Sequence, residues 1–347
     1  MWLFDGNLGV RFFFVISGFL ITHLLFQEYN QTGSISLRRF YLRRALRILP
    51  VYFAYLLVVF LLQVFTPYRQ SLISWVGNLT FTTNYFENSW TIGHLWSLAV
   101  EEQFYLLWPL LLVLIGLKGN KRAVFYILGI ALIVAPICRL ISFSVAQGIN
   151  HAIFNVSLFS KAISFIKGCP AILPLFNNFS FFNYFDSLAV GCIAAILLTK
   201  HEAQISAMLK KVRAGSILLG LAMLLIPYLM VRQHYHFFML VGPGIPFGNT
   251  CQAVGFAILL LQSILSPQLF KPLNWPVVKQ LGVLSYSIYI WQQLFCSDPQ
   301  TFGFTNVWFM TFPGWILTAC LVAMLSYYGL EKPLMGLRAY FRKPAAG

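Results

Sequence analysis

Residues 38–50, RRFYLRRALRILP, carry five arginines within ten positions and lead directly into residues 51–65, VYFAYLLVVFLLQVF, which carry no charge. A helix rises 1.5 Å per residue, so about 20 mostly apolar residues cross the hydrocarbon layer of a bilayer. Lysine and arginine gather on the cytoplasmic side of such helices. We therefore predict a membrane-spanning helix over about residues 47–66, with the arginines at its cytoplasmic end.

The composition extends this prediction to the whole chain. With 59% hydrophobic residues, 10% charged residues and a mean hydropathy of +0.75, the chain has too little polar surface to cover a soluble globule of 347 residues. We predict an all-α fold, a polytopic transmembrane helical bundle that forms a single membrane-embedded domain over residues 1–347. The nine expected spans lie at about 9–27, 47–66, 95–117, 124–142, 185–199, 214–231, 249–265, 281–297 and 313–330.

The positions of the basic residues predict the orientation of these spans. If the N-terminus is outside and the C-terminus is cytoplasmic, eighteen of the 24 basic residues fall in cytoplasmic segments. The net charge of +15 therefore marks topology and contact with an anionic leaflet, and it does not predict a nucleic-acid partner. The eighteen are Arg38, Arg39, Arg43, Arg44, Arg47, Lys118, Lys121, Arg122, Lys200, Lys210, Lys211, Arg213, Lys271, Lys279, Lys332, Arg338, Arg342 and Lys343.

The motifs of metal and nucleotide sites are missing from the sequence. The six cysteines form no CxxC pair and have no histidine at a spacing suited to zinc, so we expect no metal site. The glycine-rich motifs of dinucleotide and phosphate binding are not found either.

Acidic residues inside the predicted spans are informative because an ionisable side chain costs at least about 2.5 to 3.5 kcal/mol at the centre of a bilayer. The stretch TIGHLWSLAVEEQFYLLWPLLLVLIGL, residues 91–117, places His94, Glu101 and Glu102 at the outer start of the third span. Positions seven apart on a helix share a face, so His94 and Glu101 would line one side. They either form a functional site or anchor the helix, with a glutamate paired to Arg11 or Arg139.

Two further patterns have structural and functional interpretations. Arg39, Arg43 and Arg47 recur every four residues on one helical face, and they either anchor the span or hold the phosphates of a cytosolic ligand. The stretch LSYSIYIWQQLF, residues 284–295, either supplies hydrogen-bonded helix packing or lines a polar cavity.

Four stretches together resemble the acyltransferase 3 family of integral membrane O-acyltransferases, which modify cell-surface glycans and some small molecules. They are LGVRFFFVISGFLIT (8–22), SLRRFYLRRALRILPVY (36–52), HLWSLAVEEQFYLLWPLLL (94–112) and LSYSIYIWQQLF (284–295), in that order. Weaker similarities lie in YFDSLAVGCIAA (184–195) and SYYGLEKPL (326–334).

The resemblance implies roles for particular residues. The family's FFVxxG motif ends on Ser17 and Gly18, where small side chains let a neighbouring helix or an acyl chain come close. Its RxxR motif falls on Arg44 and Arg47, within the arginine stretch, and implies a binding place for acyl-CoA there. The co-substrate would then be acyl-CoA, with acetyl-CoA the expected donor and no permanently bound cofactor.

The sequence departs from the family pattern at its start. The family begins with a further span that follows a DGLRG motif and carries a histidine thought to be catalytic, whereas this sequence starts MWLFDGNLG. Nine spans in place of the family's ten are expected from such a difference, in a fragment, a late-start gene product or an inactive relative. His94, Glu101 and Glu102 are then the candidates for a catalytic base, or line the acceptor side.

The sequence thus predicts an enzyme of a bacterial plasma membrane. It would move an acyl group from cytosolic acyl-CoA to a hydroxyl of an extracytoplasmic glycan or small molecule, either directly or through a separate extracytoplasmic transferase. The alternatives are a transporter or flippase of a lipid-linked sugar or anion, and a non-catalytic scaffold. A transporter would share the span count and arginine stripe, but the sequence shows no repeated pair of Gly/Pro-broken spans.

Overall fold

The computed structural model describes residues 6–86, 88–115, 121–147, 157–169, 172–177, 179–232, 247–305 and 307–337. Four basic residues used to predict the orientation, Lys118, Arg338, Arg342 and Lys343, lie outside these ranges. The described ranges contain helices and no strand.

Thirteen α-helices follow one another along the described chain. They are α1 Gly6–Thr32, α2 Leu37–Phe65, α3 Leu72–Leu79, α4 Trp90–Gly93, α5 Trp96–Ile115, α6 Lys121–Gln147, α7 Ser157–Gly168, α8 Phe181–Lys211, α9 Arg213–Arg232, α10 Gly248–Leu265, α11 Pro276–Phe295, α12 Gly314–Ser326 and α13 Lys332–Gly336. A π-helical turn, Tyr327–Glu331, joins α12 to α13. Short 3₁₀ helices lie at Thr83–Tyr85, Leu173–Phe176, Lys271–Asn274, Pro299–Phe302 and Trp308–Met310.

The predicted polytopic helical fold is confirmed. Within the described ranges, seven helical segments are long and apolar enough to cross a membrane: Gly6–Thr32, Leu37–Phe65, Trp90–Ile115, Arg122–Phe143, Phe181–Lys211, Gly248–Leu265 and Gly314–Gly336. The two remaining expected spans, 214–231 and 281–297, also fall on helices, α9 and α11. In α9 the described apolar part, Arg213–Pro227, is short, and α11 carries several polar residues.

The helices form two compact units. Unit 1 contains Met1–Ile35 and Val100–Phe270, and unit 2 contains Ser36–Ala99 and Lys271–Gly347. The boundary at Ala99 and Val100 falls inside α5, so the first turn of that helix belongs to unit 2. A single domain over 1–347 stays a prediction.

Unit 1 is built around the crossing of α1 and α8. Val15 and Phe19 of α1 pack with Val190 and Ala194 of α8 and with apolar residues of α10. The helices approach closely because each presents a glycine: a Cβ added to Gly18 would lie 2.1 Å from the carbonyl oxygen of Leu188. The reciprocal Gly191 faces Val15 in the same way. Small residues at such crossings are typical of membrane helix packing.

Unit 2 joins α2 to the helices that follow residue 271. The Tyr286 hydroxyl of α11 donates to the Ile48 carbonyl of α2 over 2.8 Å. On the other half of α2, the Tyr52 hydroxyl donates to the Asn78 carbonyl over 2.8 Å. Both bonds are worth more in a dry interior than in water, because water does not compete there.

Candidate functional site

The arginines of residues 38–47 lie on the first three turns of α2, which begins at Leu37. Because this segment is helical, the four-residue spacing places Arg39, Arg43 and Arg47 on one face, as the sequence predicts. Arg47 is exposed, and the guanidinium of Arg44 lies 5.8 Å from the centroid of the Phe40 ring. The cationic face therefore exists in the structure, and its role in binding acyl-CoA stays a prediction.

A buried acid stands close to this face. Glu331 is 3% exposed, accepts a hydrogen bond from the Ser287 hydroxyl and interacts electrostatically with Arg47. It ends the π-helical turn Tyr327–Glu331, and such single turns are frequent at functional sites because they redirect a side chain. The structure thus places a buried carboxyl group within electrostatic reach of Arg47.

His94 lies in the short turn between α4 and α5, and not on the continuous helix assumed from the sequence. Neighbouring residues of α11 hold it at two points. Its carbonyl oxygen accepts a hydrogen bond from the Tyr289 hydroxyl over 2.7 Å, and its ring Nε2 lies 3.1 Å from the Ile290 carbonyl oxygen. The imidazole is therefore fixed by α11 and not by a seven-residue repeat with Glu101.

These contacts also assign the tautomer of the ring. A carbonyl oxygen only accepts hydrogen bonds, so Nε2 carries a proton, and in the neutral imidazole Nδ1 then carries the lone pair. Nδ1 of His94 is buried, and no described residue supplies a hydrogen bond to it. A buried acceptor without a donor is costly, so this nitrogen is suited to a donor that arrives with a ligand.

Aromatic rings surround the imidazole. The Tyr55 ring lies edge-on to His94 and also to Trp291, with centroids 5.5 Å apart in both pairs. The Tyr55 hydroxyl donates to the Thr91 carbonyl, which ties α2 to α4. The indole Nε1 of Trp291 is buried, and no acceptor for it occurs in the described part of the chain. The cluster thus holds an unused acceptor and an unused donor around one tyrosine.

The polar and aromatic residues of LSYSIYIWQQLF divide between the two roles left open by the sequence. Tyr286, Ser287, Tyr289 and Gln293 hydrogen-bond to other segments of unit 2, which supports the helix-packing interpretation for them. Trp291 is the member with an unsatisfied donor, which fits the lining of a polar site.

Glu101 belongs to unit 1 and has a different environment. Its Oε1 accepts hydrogen bonds from the hydroxyls of Ser17 on α1 and Tyr105 on its own helix. Trp108, one turn further, donates from Nε1 to the Thr22 hydroxyl over 2.9 Å. The carboxyl group therefore ties α5 to α1, while Glu102 beside it is partly buried. The proposed catalytic roles of Glu101 and Glu102 stay predictions.

Ser17 and Gly18 were predicted to let a neighbouring helix or an acyl chain come close. The backbone of α8 occupies that space at Gly18, which supports the helix alternative. Ser17 is 5% exposed and hydrogen-bonded to Glu101. Binding of an acyl chain at these two residues stays a prediction.

The two arginines considered as partners of the glutamates have other partners. Arg11 donates from Nη1 to Gln252 Oε1 over 2.6 Å. Arg139 forms a two-bond fork with Asp186, at 3.0 and 2.8 Å. Pairing of a glutamate with Arg11 is therefore wrong for the described structure, because Gln252 on α10 faces the guanidinium instead.

Sequence reasoning did not single out three residues that contact or surround the candidate site residues: Tyr55, Asp186 and Glu331. Asp186 could have been found by the rule that singled out Glu101, since it is an acid within the expected span 185–199, whereas Glu331 lies one residue beyond the last expected span, 313–330. Tyr55 lies in a uniform apolar run, so no sequence pattern distinguishes it from its neighbours. Among the side chains that the structure describes, no group of three His, Cys, Asp or Glu residues could hold a metal ion.

Comparison with known proteins gives the chain its family. The sequence profile described as Acyltransferase domain, that of acyltransferase 3, matches residues 1–330. A Bacillus subtilis protein named putative peptidoglycan O-acetyltransferase is 27% identical over 370 residues, covering 99% of this chain and 53% of that protein. The peptidoglycan O-acetyltransferase of Listeria monocytogenes is 26% identical over 370 residues, with 98% and 53% covered.

A third relative matches a shorter part of the chain. A Staphylococcus aureus protein named putative O-acetyltransferase is 44% identical over 135 residues, which are 35% of this chain and 22% of that protein. The chain spans about half the length of the first two relatives. No solved structure matches the chain significantly. The profile match over residues 1–330 shows that this chain belongs to the acyltransferase 3 family.

Proposed function

We propose that this chain is the membrane part of an O-acetyltransferase that moves an acetyl group from acyl-CoA to a hydroxyl of an extracytoplasmic glycan. Its family, its membrane-spanning helices and the names of its relatives support this function. The relatives named for peptidoglycan make that glycan the first acceptor to test.

The observation that carries the proposal is the unused lone pair of His94 Nδ1. Acyl transfer requires a base that takes the proton of the attacking hydroxyl. Of the three candidate bases, His94 is the one whose tautomer follows from its contacts: Nε2 donates to a carbonyl oxygen, so in the neutral ring Nδ1 is the acceptor. In the proposed step, the hydroxyl oxygen attacks the acyl carbonyl, His94 takes the proton, and the proton then passes to the leaving thiolate.

Acyl transfer also requires a hydrogen-bond donor that stabilises the developing negative charge, and in this proposal Trp291 supplies it. The tetrahedral intermediate carries negative charge on the former carbonyl oxygen, and preorganised N–H donors stabilise it. The indole N–H of Trp291 is buried without an acceptor among the described residues and packs on the same tyrosine as His94. It is our candidate for that donor.

The arginine face is our candidate for the acyl-CoA site. Arg47 and Tyr55 are eight residues apart on α2, which is about 12 Å along the helix axis. Coenzyme A carries its phosphates and its thioester at opposite ends of a long pantetheine arm. Phosphates bound at the arginines would therefore leave the thioester free to reach deeper along α2, toward the cluster at His94.

The proposed orientation of the chain in the membrane follows from placing acyl-CoA at the arginine face. The arginine end of α2 would face the cytosol of a bacterium, with the N-terminus of this chain outside and its C-terminus cytoplasmic, in the plasma membrane. Either the membrane part acylates the glycan itself, or it passes the group to a separate extracytoplasmic transferase.

The test is acetyl transfer by the purified protein in nanodiscs. Acetyl-CoA labelled in the acetyl group is supplied with peptidoglycan fragments, and label on the fragments is measured against time. We expect His94→Gln to lower the rate by about 10²- to 10⁴-fold, the usual contribution of a general base. Glutamine can still donate to the Ile290 carbonyl, so the variant removes the base and keeps that contact.

The matched control is His23→Gln in α1, a partly buried histidine whose ring lies 3.4 Å from the Thr199 hydroxyl. It should transfer acetyl groups at the native rate. Equal rates for native protein and His94→Gln would refute the role of His94. No transfer of label by the folded native protein would refute direct acylation of the glycan, and no transfer in the presence of a separate extracytoplasmic transferase as well would refute the function and favour a transporter.

A further inference from the structure

Arg11 is a buried cation in a helix able to cross a membrane. It lies on α1, five residues after the helix begins, and is 3% exposed. Five residues correspond to about 7.5 Å along the axis, so the side chain sits near one end of the span. A buried guanidinium normally requires an anionic partner, because its desolvation costs several kcal/mol.

The contacts of Arg11 leave one edge of the guanidinium unused. Nη1 donates to Gln252 Oε1 over 2.6 Å, and Gln252 is itself held by a contact of its amide nitrogen with the Leu224 carbonyl over 3.3 Å. Nε is buried and finds no acceptor in the described part of the chain. Nε and Nη2 point to the same side of the planar group and form the two-pronged edge that binds a carboxylate or phosphate.

Arg139, in the same unit, is a buried arginine whose charge is paired with an acid and whose terminal nitrogens are hydrogen-bonded. It is 4% exposed and forms two bonds to Asp186, one to the Thr250 hydroxyl and one to the Asn183 carbonyl. Arg11 has no ion pair with any described acid, and the one acid of unit 1 outside the described residues is Asp5. The two arginines are equally buried, but only Arg139 has its charge balanced within the described chain.

We propose that Arg11 and Gln252 form an anion site that binds the carboxylate of the glycan acceptor. The ligand chemistry is that of a single oxyanion which accepts two parallel hydrogen bonds from Nε and Nη2. The identification of this anion with an acceptor rests on the proposed function; the anion site itself does not. Peptidoglycan offers such groups on its muramic acid sugars: the lactyl carboxylate is free where the peptide stem has been removed, and elsewhere the stem attached to it carries carboxylates of its own, whereas the other sugar is neutral.

The experiment compares two sugars that differ in this carboxylate. Binding of N-acetylmuramic acid and of N-acetylglucosamine to the purified protein, in phosphatidylcholine nanodiscs, is measured by calorimetry. We expect the acid to bind and the neutral sugar to bind at least about tenfold more weakly, as the loss of a charge-assisted hydrogen bond predicts. Arg11→Gln should abolish this difference while keeping a polar contact for Gln252.

Two control variants show whether the preference for the acid depends on Arg11 itself. Arg69→Gln removes an exposed arginine that donates to the backbone carbonyls of Gln63, Thr66 and Tyr68, and it should leave the preference for the acid unchanged. Asp5→Asn should also leave it unchanged, and it should not alter thermal stability. If Asp5→Asn lowers the unfolding temperature as much as Arg11→Gln does, Asp5 is the internal partner of Arg11 and the proposal is overturned.

The source of the anion is tested with lipid. If phosphatidylglycerol in the nanodiscs stabilises the native protein but not Arg11→Gln, and N-acetylmuramic acid binds no better than the neutral sugar, the anion is a lipid phosphate and the acceptor assignment is wrong. A preference for the acid without any acetyl transfer would refute the proposed function and leave the anion site standing. Equal binding of both sugars to the native protein would overturn the site as an acceptor contact.

Discussion

Substitution of Gly18 by alanine should separate the two central helices of unit 1. An added Cβ would lie 2.1 Å from the Leu188 carbonyl oxygen, 2.9 Å from its carbonyl carbon and 3.2 Å from its Cα. All three atoms are backbone, so no side-chain rotation can relieve the overlap. Ordinary contact between carbon atoms begins at about 3.5 Å, so α1 and α8 must move apart by roughly 1 Å or more at this point.

The size of the effect follows from what that movement disturbs. The same crossing packs Val15 and Phe19 against Val190 and Ala194, and separation opens gaps beside them. Overpacking of a close-packed interior costs about 1 to 3 kcal/mol and sometimes more. Because the clash is with rigid backbone, we expect Gly18→Ala to lower the free energy of unfolding by about 3 kcal/mol, at the upper end of that range.

The measurement is equilibrium unfolding in mixed micelles, with SDS as denaturant and tryptophan fluorescence as signal. Gly9→Ala is the matched control, since Gly9 lies exposed on the same helix and a Cβ there would meet nothing within 4 Å. It should leave stability unchanged or raise it by up to about 1 kcal/mol through helix propensity. Equal midpoints for Gly18→Ala and Gly9→Ala would refute the close crossing.

Three further predictions concern the charged and hydrogen-bonded groups. Asp186→Asn should lower the free energy of unfolding by about 3 to 5 kcal/mol in the same SDS titration, because it leaves the buried Arg139 without its counter-charge; a native midpoint would contradict this. Arg44→Ala with Arg47→Ala should raise the Kd of acetyl-CoA at least about tenfold by calorimetry, through loss of two charge-assisted contacts; an unchanged Kd would place the donor elsewhere. Tyr289→Phe removes the hydrogen bond to the carbonyl of His94 and should slow acetyl transfer about 5- to 20-fold, for roughly 1 to 1.8 kcal/mol, without changing the Kd of acetyl-CoA; a native rate would show that this bond does not position the histidine.

The helical fold could be predicted because it follows from composition. Every apolar run of about 20 residues has one low-energy structure in a bilayer, since only a helix satisfies its own backbone hydrogen bonds there. The described residues of the nine expected spans lie mainly on helices for this reason. The helical face of Arg39, Arg43 and Arg47 was predicted on the same basis, because it requires only a regular helix from Leu37 onward.

The partners of buried polar groups could not be predicted in this way. Pairing across a membrane bundle depends on which helices meet, and a single sequence does not encode that order in any local pattern. Arg11 thus faces Gln252, which lies 241 positions away, and Arg139 faces Asp186. Neither pair is visible as a spacing along one helix, whereas the contact of Glu101 with Tyr105, four residues away on one helix, is.

His94 shows how a local irregularity changes a functional argument. The sequence argument placed it two turns before Glu101 on one helix, so the two would have shared a face. The chain instead turns between Gly93 and Trp96, and the imidazole is oriented by the Ile290 carbonyl. That carbonyl fixes a proton on Nε2, so in the neutral ring the buried Nδ1 is an acceptor. In its proposed role as a base, this histidine would therefore depend on α11, whose sequence leaves both helix packing and a polar cavity open. Ile290 of that helix orients the ring, and the neighbouring Trp291 is our candidate for the donor that a reacting carbonyl requires.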